Sequence, residues 1–272
     1  MDPEVLRDLV RRALAEDRAD DDVTTASTIP PDATGIARLL AKEACVLAGA
    51  EAFIATFEAA GDVFVTIEQD GTGVSSGASA GTVTGSLRAI LTAERTALNF
   101  VQHLSGIATL TRAFVDAAPN VEIRDTRKTT PGLRVLEKTA VLAGGGVNHR
   151  ADLSAAILIK DNHIAACGSI ESAIAAARET GRWIEVECET LEQVRAAVEA
   201  GADEVLLDNM SVTELSEAVS EVAARARTEA SGGVTLDTVA AIAKTGVDAI
   251  SVGALTHSAR AIDLSLEIER TA

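Results

Sequence analysis

A chain of 272 residues with 47% apolar residues can build one large barrel or two domains, and its formal charge of −17 argues against a nucleic-acid partner, whose phosphates most of this surface would repel. No run of eighteen uncharged apolar residues occurs, and residues 1–4 (MDPE) lack the basic and apolar regions of a signal peptide, so a soluble cytoplasmic protein with no membrane span is expected. Cys45, Cys167 and Cys188 form no CxxC pair; they indicate neither a disulfide framework nor a zinc site, and each reads as a small buried hydrophobe.

Residues 4–18 place Val5, Leu6, Leu9, Val10 and Leu14 on one helical face, and Asp20, Asp21 and Asp22 then form a solvated loop. From about 35 to 90, short alternating stretches (36–40, 63–67 and 81–88) and a helix over 51–60 are separated by glycine-rich turns, which predicts a small α+β layer. Residues 92–117 read as a helix with a weak point at Gly106. Beyond 120 the pattern becomes regular. Strands over 121–126, 156–160, 183–188, 204–208, 227–231 and 249–253 alternate with helices over 170–179, 190–200, 212–224 and 236–244, which predicts a parallel sheet. Polar residues gather at one end of that repeat: Arg127 and Lys128, Lys160, Glu187, Asp208 and Ser231. In βα barrels the C-terminal strand ends converge on one mouth where chemistry is assembled. An open doubly wound sheet is the alternative, because it too places ligands at strand ends.

Charge singles out the same region. Between residues 124 and 163, Arg124, Arg127, Lys128, Arg134, Lys138, Arg150 and Lys160 stand against Asp125, Glu137, Asp152 and Asp161, and cations concentrated in an acidic chain predict an anion site. Gly144, Gly145, Gly146, His149 and His163 fall in the same window. Ser231, Gly232 and Gly233 precede the helix near 236, and Gly253 follows the sixth strand, so bare amides can meet a phosphate there. Glu187 and Asp208, at the ends of adjacent strands and about 5 Å apart across the ladder, are candidate magnesium ligands. Glu185, one layer deeper, is expected to pair with a barrel lysine. The acidity itself, with 19 Arg to 5 Lys, no Tyr and 2% aromatics, reads as adaptation to a salt-rich cytoplasm and predicts unfolding in low salt.

Four segments carry a resemblance: 93–109 (AERTALNFVQHLSGIAT), 125–150 (DTRKTTPGLRVLEKTAVLAGGGVNHR), 159–164 (IKDNHI) and 207–210 (LDNM). Together with 13–25 (ALAEDRADDDVTT) and 246–258 (GVDAISVGALTHS), they resemble the quinolinate phosphoribosyltransferases over nearly the whole chain. That resemblance implies an incomplete, open α/β barrel with parallel strands, over 106–260, preceded by an α+β sandwich domain over 1–105. A C-terminal helix or tail over 261–272 would pack back on the first domain. It implies transfer of phosphoribose from phosphoribosyl pyrophosphate to quinolinate with loss of carbon dioxide, magnesium as cofactor, and a homodimer.

Residue by residue, the resemblance implies that Arg127, His149, Arg150 and Lys160 surround the dianionic pyridine, with Arg95 supplied by the neighbouring subunit. Planar guanidinium groups suit two carboxylates on a flat ring. Arg95, Asn99, Gln102 and Gly106 share one helical face, which is expected to meet that partner. Lys128 is expected to reach the phosphoribosyl group, Glu187 and Asp208 its magnesium and ribose hydroxyls, and Ser231, Gly232 and Gly253 its 5′-phosphate. Lys128, Lys160, Glu187 and Asp208 are the expected catalytic groups. Two departures stand out: Thr139 where an aromatic is expected, and Arg18, Ala19 and Asp20 where a glycine is more usual. A Schiff-base aldolase built on Lys160, a relative acting on a different pyridine or heterocyclic acid, and a catalytically silent binding or regulatory relative are the rival readings.

Overall fold

The computed structural model describes residues 2–269. In chain order the elements are α1 (Pro3–Glu16), α2 (Val23–Thr28), β1 (Thr34–Ala41), β2 (Cys45–Val46), α3 (Ala50–Ala60), β3 (Val63–Ile67), β4 (Gly73–Val74), β5 (Ser79–Ser86) and α4 (Leu87–Ala117). There follow β6 (Glu122–Arg124), α5 (Arg134–Ala143), β7 (Ile157–Ile159), α6 (Asp161–Cys167), α7 (Ile170–Arg178), β8 (Ile184–Cys188), α8 (Leu191–Glu199) and β9 (Glu204–Asp208). The last are α9 (Val212–Val222), β10 (Arg227–Ser231), α10 (Leu236–Ala243), β11 (Ala249–Ser251), α11 (Ala254–His257) and β12 (Leu264–Ile268).

Two compact units result. The first gathers residues 2–112, 130–145 and 258–269, and the second residues 113–129 and 146–257. Both break the expected boundaries, because α5 belongs to the first unit although it lies within 106–260. One reason is visible at Gly144, where an added Cβ would come within 2.5 Å of the Ala108 carbonyl oxygen, so the end of α5 lies directly against α4.

In the first unit an antiparallel sheet runs in the order β12-β1-β5-β3. Its inner face packs Leu39, Phe53, Phe57, Ile90, Leu98 and Leu264 into one core. The C-terminal segment expected over 261–272 does pack back on the first unit, but as strand β12 rather than a helix, paired with β1 from Ala37 opposite Ile268 to Ala41 opposite Leu264; the last three residues of that expectation lie outside the described residues. Its alternation of buried Leu264 and Leu266 with more exposed Ser265 and Glu267 suits an edge strand. The expected weak point at Gly106 does not break α4. A Cβ there would lie 2.1 Å from the Arg260 carbonyl oxygen, so the glycine serves close approach. Gln102 Nε2 likewise donates to the Leu264 carbonyl. Two of the four residues expected on a partner-facing stripe therefore face the chain's own 260–264 segment.

The second unit is a parallel sheet in the order β6-β11-β10-β9-β8-β7, in which β6 and β7 do not pair, so the barrel stays open. Capping boxes start the helices cleanly: Thr190 with Gln193 at α8 and Ser211 with Glu214 at α9. Strand alternation sends Ile184, Val186 and Cys188 to one face, all buried, and Glu185 and Glu187 to the other. Cys45 and Cys188 are buried, but Cys167 is exposed at the end of α6, contrary to expectation. Burial pushes the Cys188 thiol up to about 12, with the Glu187 charge adding to the effect, so it is inert at neutral pH.

Candidate active site

The inner face of the open barrel is polar in two tiers. The upper tier holds Arg127 and Lys128 after β6, Arg150, Lys160 after β7, Glu187 on β8, Asp208 on β9 and Ser231 on β10; these line a cavity of about 380 Å³ that also reaches His149, Glu229 and Ser251 of the lower tier. Of the seven cations in the basic window, only these four Arg and Lys line it. Arg134 and Lys138 lie on α5 in the first unit, and Arg124 is consumed below by carboxylates, because adjacency along the chain is not adjacency in space.

Three of the four cations are anchored by backbone or stem. The Lys160 backbone N–H donates to His163 Nδ1 at 3.0 Å, and its ammonium pairs with Glu187. Arg150 donates from its backbone N–H to His149 Nδ1 at 2.8 Å and from its guanidinium to the Ala156 carbonyl at 3.1 Å. Burial, together with the neighbouring Arg127, holds the Arg150 pKa below its usual value. The Lys128 stem lies over Gly253, where a Cβ would meet its Cδ at 3.2 Å, and the Lys128 carbonyl accepts from the Thr256 hydroxyl at 2.8 Å. Arg127 Nε is buried with no hydrogen-bond partner. Like charges crowded around an unsatisfied donor favour the entry of an anion.

The carboxylates are offset from the expected geometry. Glu187 pairs across the ladder with Leu206, and Asp208 pairs with Ser231, so Glu187 and Asp208 share a face but are staggered by two residues rather than opposed. Such a diagonal separates backbones by about 7–8 Å, not 5 Å. Asp208 Oδ2 accepts from Asn209 Nδ2 at 2.7 Å. Asn209 takes a left-handed backbone (φ 56°), and the facing Gly232 has φ 94°. A Cβ on Gly232 would come within 2.2 Å of Asn209 Oδ1, so only glycine fits after Ser231. Asn209 stands in the LDNM segment, but neither composition nor spacing signals its left-handed conformation or its hold on Asp208.

Of the lower tier, strand parity announces only Glu185. Arg124 donates to Glu204 at 2.8 Å, Glu229 at 2.6 Å and Glu122 at 2.8 Å, and Ser251 donates to the other oxygen of Glu229 at 2.5 Å. Glu185 pairs not with a lysine but with His149 Nε2 at 2.9 Å, because Lys160 is taken by Glu187. Burial lowers the His149 pKa, but the hydrogen bond and charge of Glu185 and the charge of Glu229 outweigh it, so the net shift is upward. Burial and the nearby Glu185 raise the Glu229 pKa. Among the described residues, His149, Glu185 and Glu229 are one group close enough to suggest a metal, with ligand atoms within 4.8 Å of one another. Both Glu229 oxygens are already occupied by Ser251 and Arg124, and Glu185 Oε2 by the imidazole, so the group is a charge network rather than a cation cage.

Arg95 does not line the cavity. It lies on α4 in the first unit, in a groove of about 470 Å³ that also holds Arg12, Glu16, Asn99 and His103.

Two family models divide the chain between them: the quinolinate phosphoribosyl transferase N-terminal domain matches residues 22–105 and the C-terminal domain residues 107–267. The chain belongs to the quinolinate phosphoribosyltransferase family. It is 44% identical to a carboxylating nicotinate-nucleotide pyrophosphorylase of Mycobacterium leprae, over 96% of both chains. A probable carboxylating nicotinate-nucleotide pyrophosphorylase of Bacillus subtilis is 42% identical over 97% of this chain and 93% of that one. The crystal structure of NadC from Streptococcus pyogenes superposes with a TM-score of 0.95 at 41% identity, covering 100% of this chain and 99% of the other. Within this family frame, the α/β open barrel and its preceding antiparallel layer are the expected architecture, and the four converging cations stand in its cavity.

Proposed function

We propose that the chain transfers the phosphoribosyl group of phosphoribosyl pyrophosphate to the ring nitrogen of quinolinate, releasing pyrophosphate and carbon dioxide and forming nicotinate mononucleotide for NAD synthesis. The observation that carries this reading is the convergence of Arg127, Lys128, Arg150 and Lys160 on one cavity, with Arg127 Nε buried and unpartnered. Two guanidinium groups match two carboxylates on a flat ring, and the ring is then held with its nitrogen toward the ribose.

The Lys160–Glu187 pair makes Lys160 the adaptable cation: its ammonium can pass from Glu187 to an entering carboxylate without leaving the cavity. Lys128 offsets the negative charge that develops on departing pyrophosphate. The bond from the ribose carbon to pyrophosphate breaks as the bond to nitrogen forms. The alkylated ring then accepts the electron pair left by the adjacent carboxylate as carbon dioxide leaves, and the ring carbon takes a proton from solvent. Ser231 and the bare backbone of Gly232 and Gly253 are suited to the 5′-phosphate.

Magnesium fits the donor set. Glu187 commits Oε2 to Lys160 and Asp208 commits Oδ2 to Asn209, which leaves a hard oxygen of each for an ion also bound by substrate phosphates. When bound, magnesium neutralises the pyrophosphate leaving group. A homodimer in which a second copy lends Arg95 accounts for an arginine that lies in a groove of the first unit rather than in the cavity. No helix among the described residues is long and apolar enough to cross a membrane, and we infer a cytoplasmic enzyme working in high salt.

Quinolinate, phosphoribosyl pyrophosphate and magnesium in molar potassium chloride should yield nicotinate mononucleotide and carbon dioxide in equal amounts, with nicotinate inert as a parallel substrate. Folded protein that is silent with quinolinate would instead point to another heterocyclic acid. The melting temperature should fall between molar and tens of millimolar potassium chloride, as unscreened carboxylates repel one another; a midpoint unmoved by salt would remove the halophilic reading.

A further inference from the structure

The Arg150 backbone N–H points at His149 Nδ1 from 2.8 Å. A backbone N–H can only donate, so Nδ1 must carry a lone pair and the ring proton of the neutral imidazole must sit on Nε2. Nε2 faces Glu185 Oε2 at 2.9 Å, which is therefore the acceptor. On the preceding peptide the His149 backbone N–H donates to Oδ1 of the buried Asp125 at 2.8 Å, so the Arg150 amide is the main-chain group here that the ring itself must hold.

Glu185 is an expensive way to hold a ring. It is 3% exposed, and its second oxygen, Oε1, is buried with no hydrogen-bond partner. A half-satisfied buried carboxylate costs stability that an apolar residue of similar volume would not. Glu229 does not take the same part, since it lies 3.7 Å from Nε2 and its oxygens serve Ser251 and Arg124. What Glu185 alone supplies is a charged acceptor that selects one tautomer.

We propose that Glu185 is a positioning residue: it fixes the Nε2–H tautomer of His149, so that Nδ1 holds the backbone of Arg150 and thereby sets its guanidinium at the cavity wall. This rests on the proposed function only for the identity of the anion that Arg150 meets. His163 uses its Nδ1 in the same way on the backbone of Lys160, so two of the four cavity cations are held by histidine rings through their main-chain amides.

The decisive measurement is the ¹⁵N spectrum of the histidine side chains in the full-length, labelled protein at mildly alkaline pH. The chain has 4 histidines, so the His149 ring can be assigned with a single His149→Asn control. Wild type should show Nε2 protonated and Nδ1 unprotonated. Glu185→Gln keeps the shape but adds an amide that can donate to Nε2, so the His149 tautomer should become mixed or inverted. With it, the KM for quinolinate should rise about tenfold or more, while the KM for phosphoribosyl pyrophosphate and the melting temperature stay near wild type, as expected when binding of one substrate is loosened. Protonated Nδ1 in wild type, or a Gln variant with an unchanged tautomer and KM, overturns the proposal. Should Glu185→Gln fail to fold, Glu185→Leu, which removes the acceptor without adding a donor, makes the same comparison of His149 tautomer and quinolinate KM. The spectra need no substrate, so a wild-type enzyme inert toward quinolinate would fail the functional reading while leaving the tautomer result standing.

Discussion

Lys160→Ala should lower turnover with quinolinate at least about a hundredfold, close to 2.7 kcal/mol of transition-state stabilisation, while the protein folds normally. The lysine stands at the end of β7 as the cap residue of α6, its side chain is 43% exposed, and its role in the backbone is carried by its amide on His163, which alanine retains. What alanine removes is the ammonium. Glu187, left without that partner, would then project an unbalanced negative charge into a cavity meant for a dianion, so both the attraction and the balance are lost. Stopped-assay kcat with a parallel melting curve checks this. Near-normal turnover in the folded variant would show that the reacting acid lies elsewhere and that the cavity cations serve another anion.

Arg124→Leu should destabilise the protein by about 3–5 kcal/mol, the range found when one partner of a buried ion pair is removed. Its side chain is 12% exposed and bridges Glu204 and Glu229, which are 5% and 0% exposed. Burial alone would depress the guanidinium pKa, but the charges of Glu229 and Glu204 more than reverse it. Burial and the charge of Glu185 raise the Glu229 pKa in the folded state, so without Arg124 the penalty is largest where the carboxylates are ionised and shrinks as pH falls and they protonate. Denaturant unfolding at two pH values would measure both effects, and pairing the change with Glu229→Gln should recover part of the loss. A single variant within about 1 kcal/mol of wild type at neutral pH would mean that water reaches the lower tier and screens it.

Much of the fold is legible in the sequence because periodicity reports burial. The strands over 204–208 and 227–231 match their expected bounds to the residue; in the first, charged ends frame the apolar Val205, Leu206 and Leu207, while the second, RTEAS, is read from its place in the strand–helix alternation rather than from apolarity. The cavity residues are legible for a related reason: a parallel sheet brings strand ends together, so Lys160, Glu187, Asp208 and Ser231 need only the topology to be placed in one site. Three features are not. The register stagger between Glu187 and Asp208 depends on strand offsets that leave no mark in a pattern of period two. The first unit's claim on α5 depends on the close approach of Gly144 to α4, which one glycine among three cannot announce. Most of the lower tier is hidden because Arg124, Glu204 and Glu229 look like solvent-facing residues, with only Glu185 readable as one layer deeper by its parity with Glu187, and only the open barrel's inner face turns them into a mutually neutralising set.

The first unit is assembled from three separated stretches of chain, and β12 completes its sheet by pairing along β1. During synthesis, β1 emerges more than two hundred residues before its neighbour and has one bare edge for all of that time. The second unit, by contrast, needs only residues from 113 to 257, and its contacts run mainly between strands consecutive in the chain. Vectorial production thus favours a ribosome-bound nascent chain in which the later unit is finished before the earlier one, with the exposed β1 edge as its point of greatest aggregation risk.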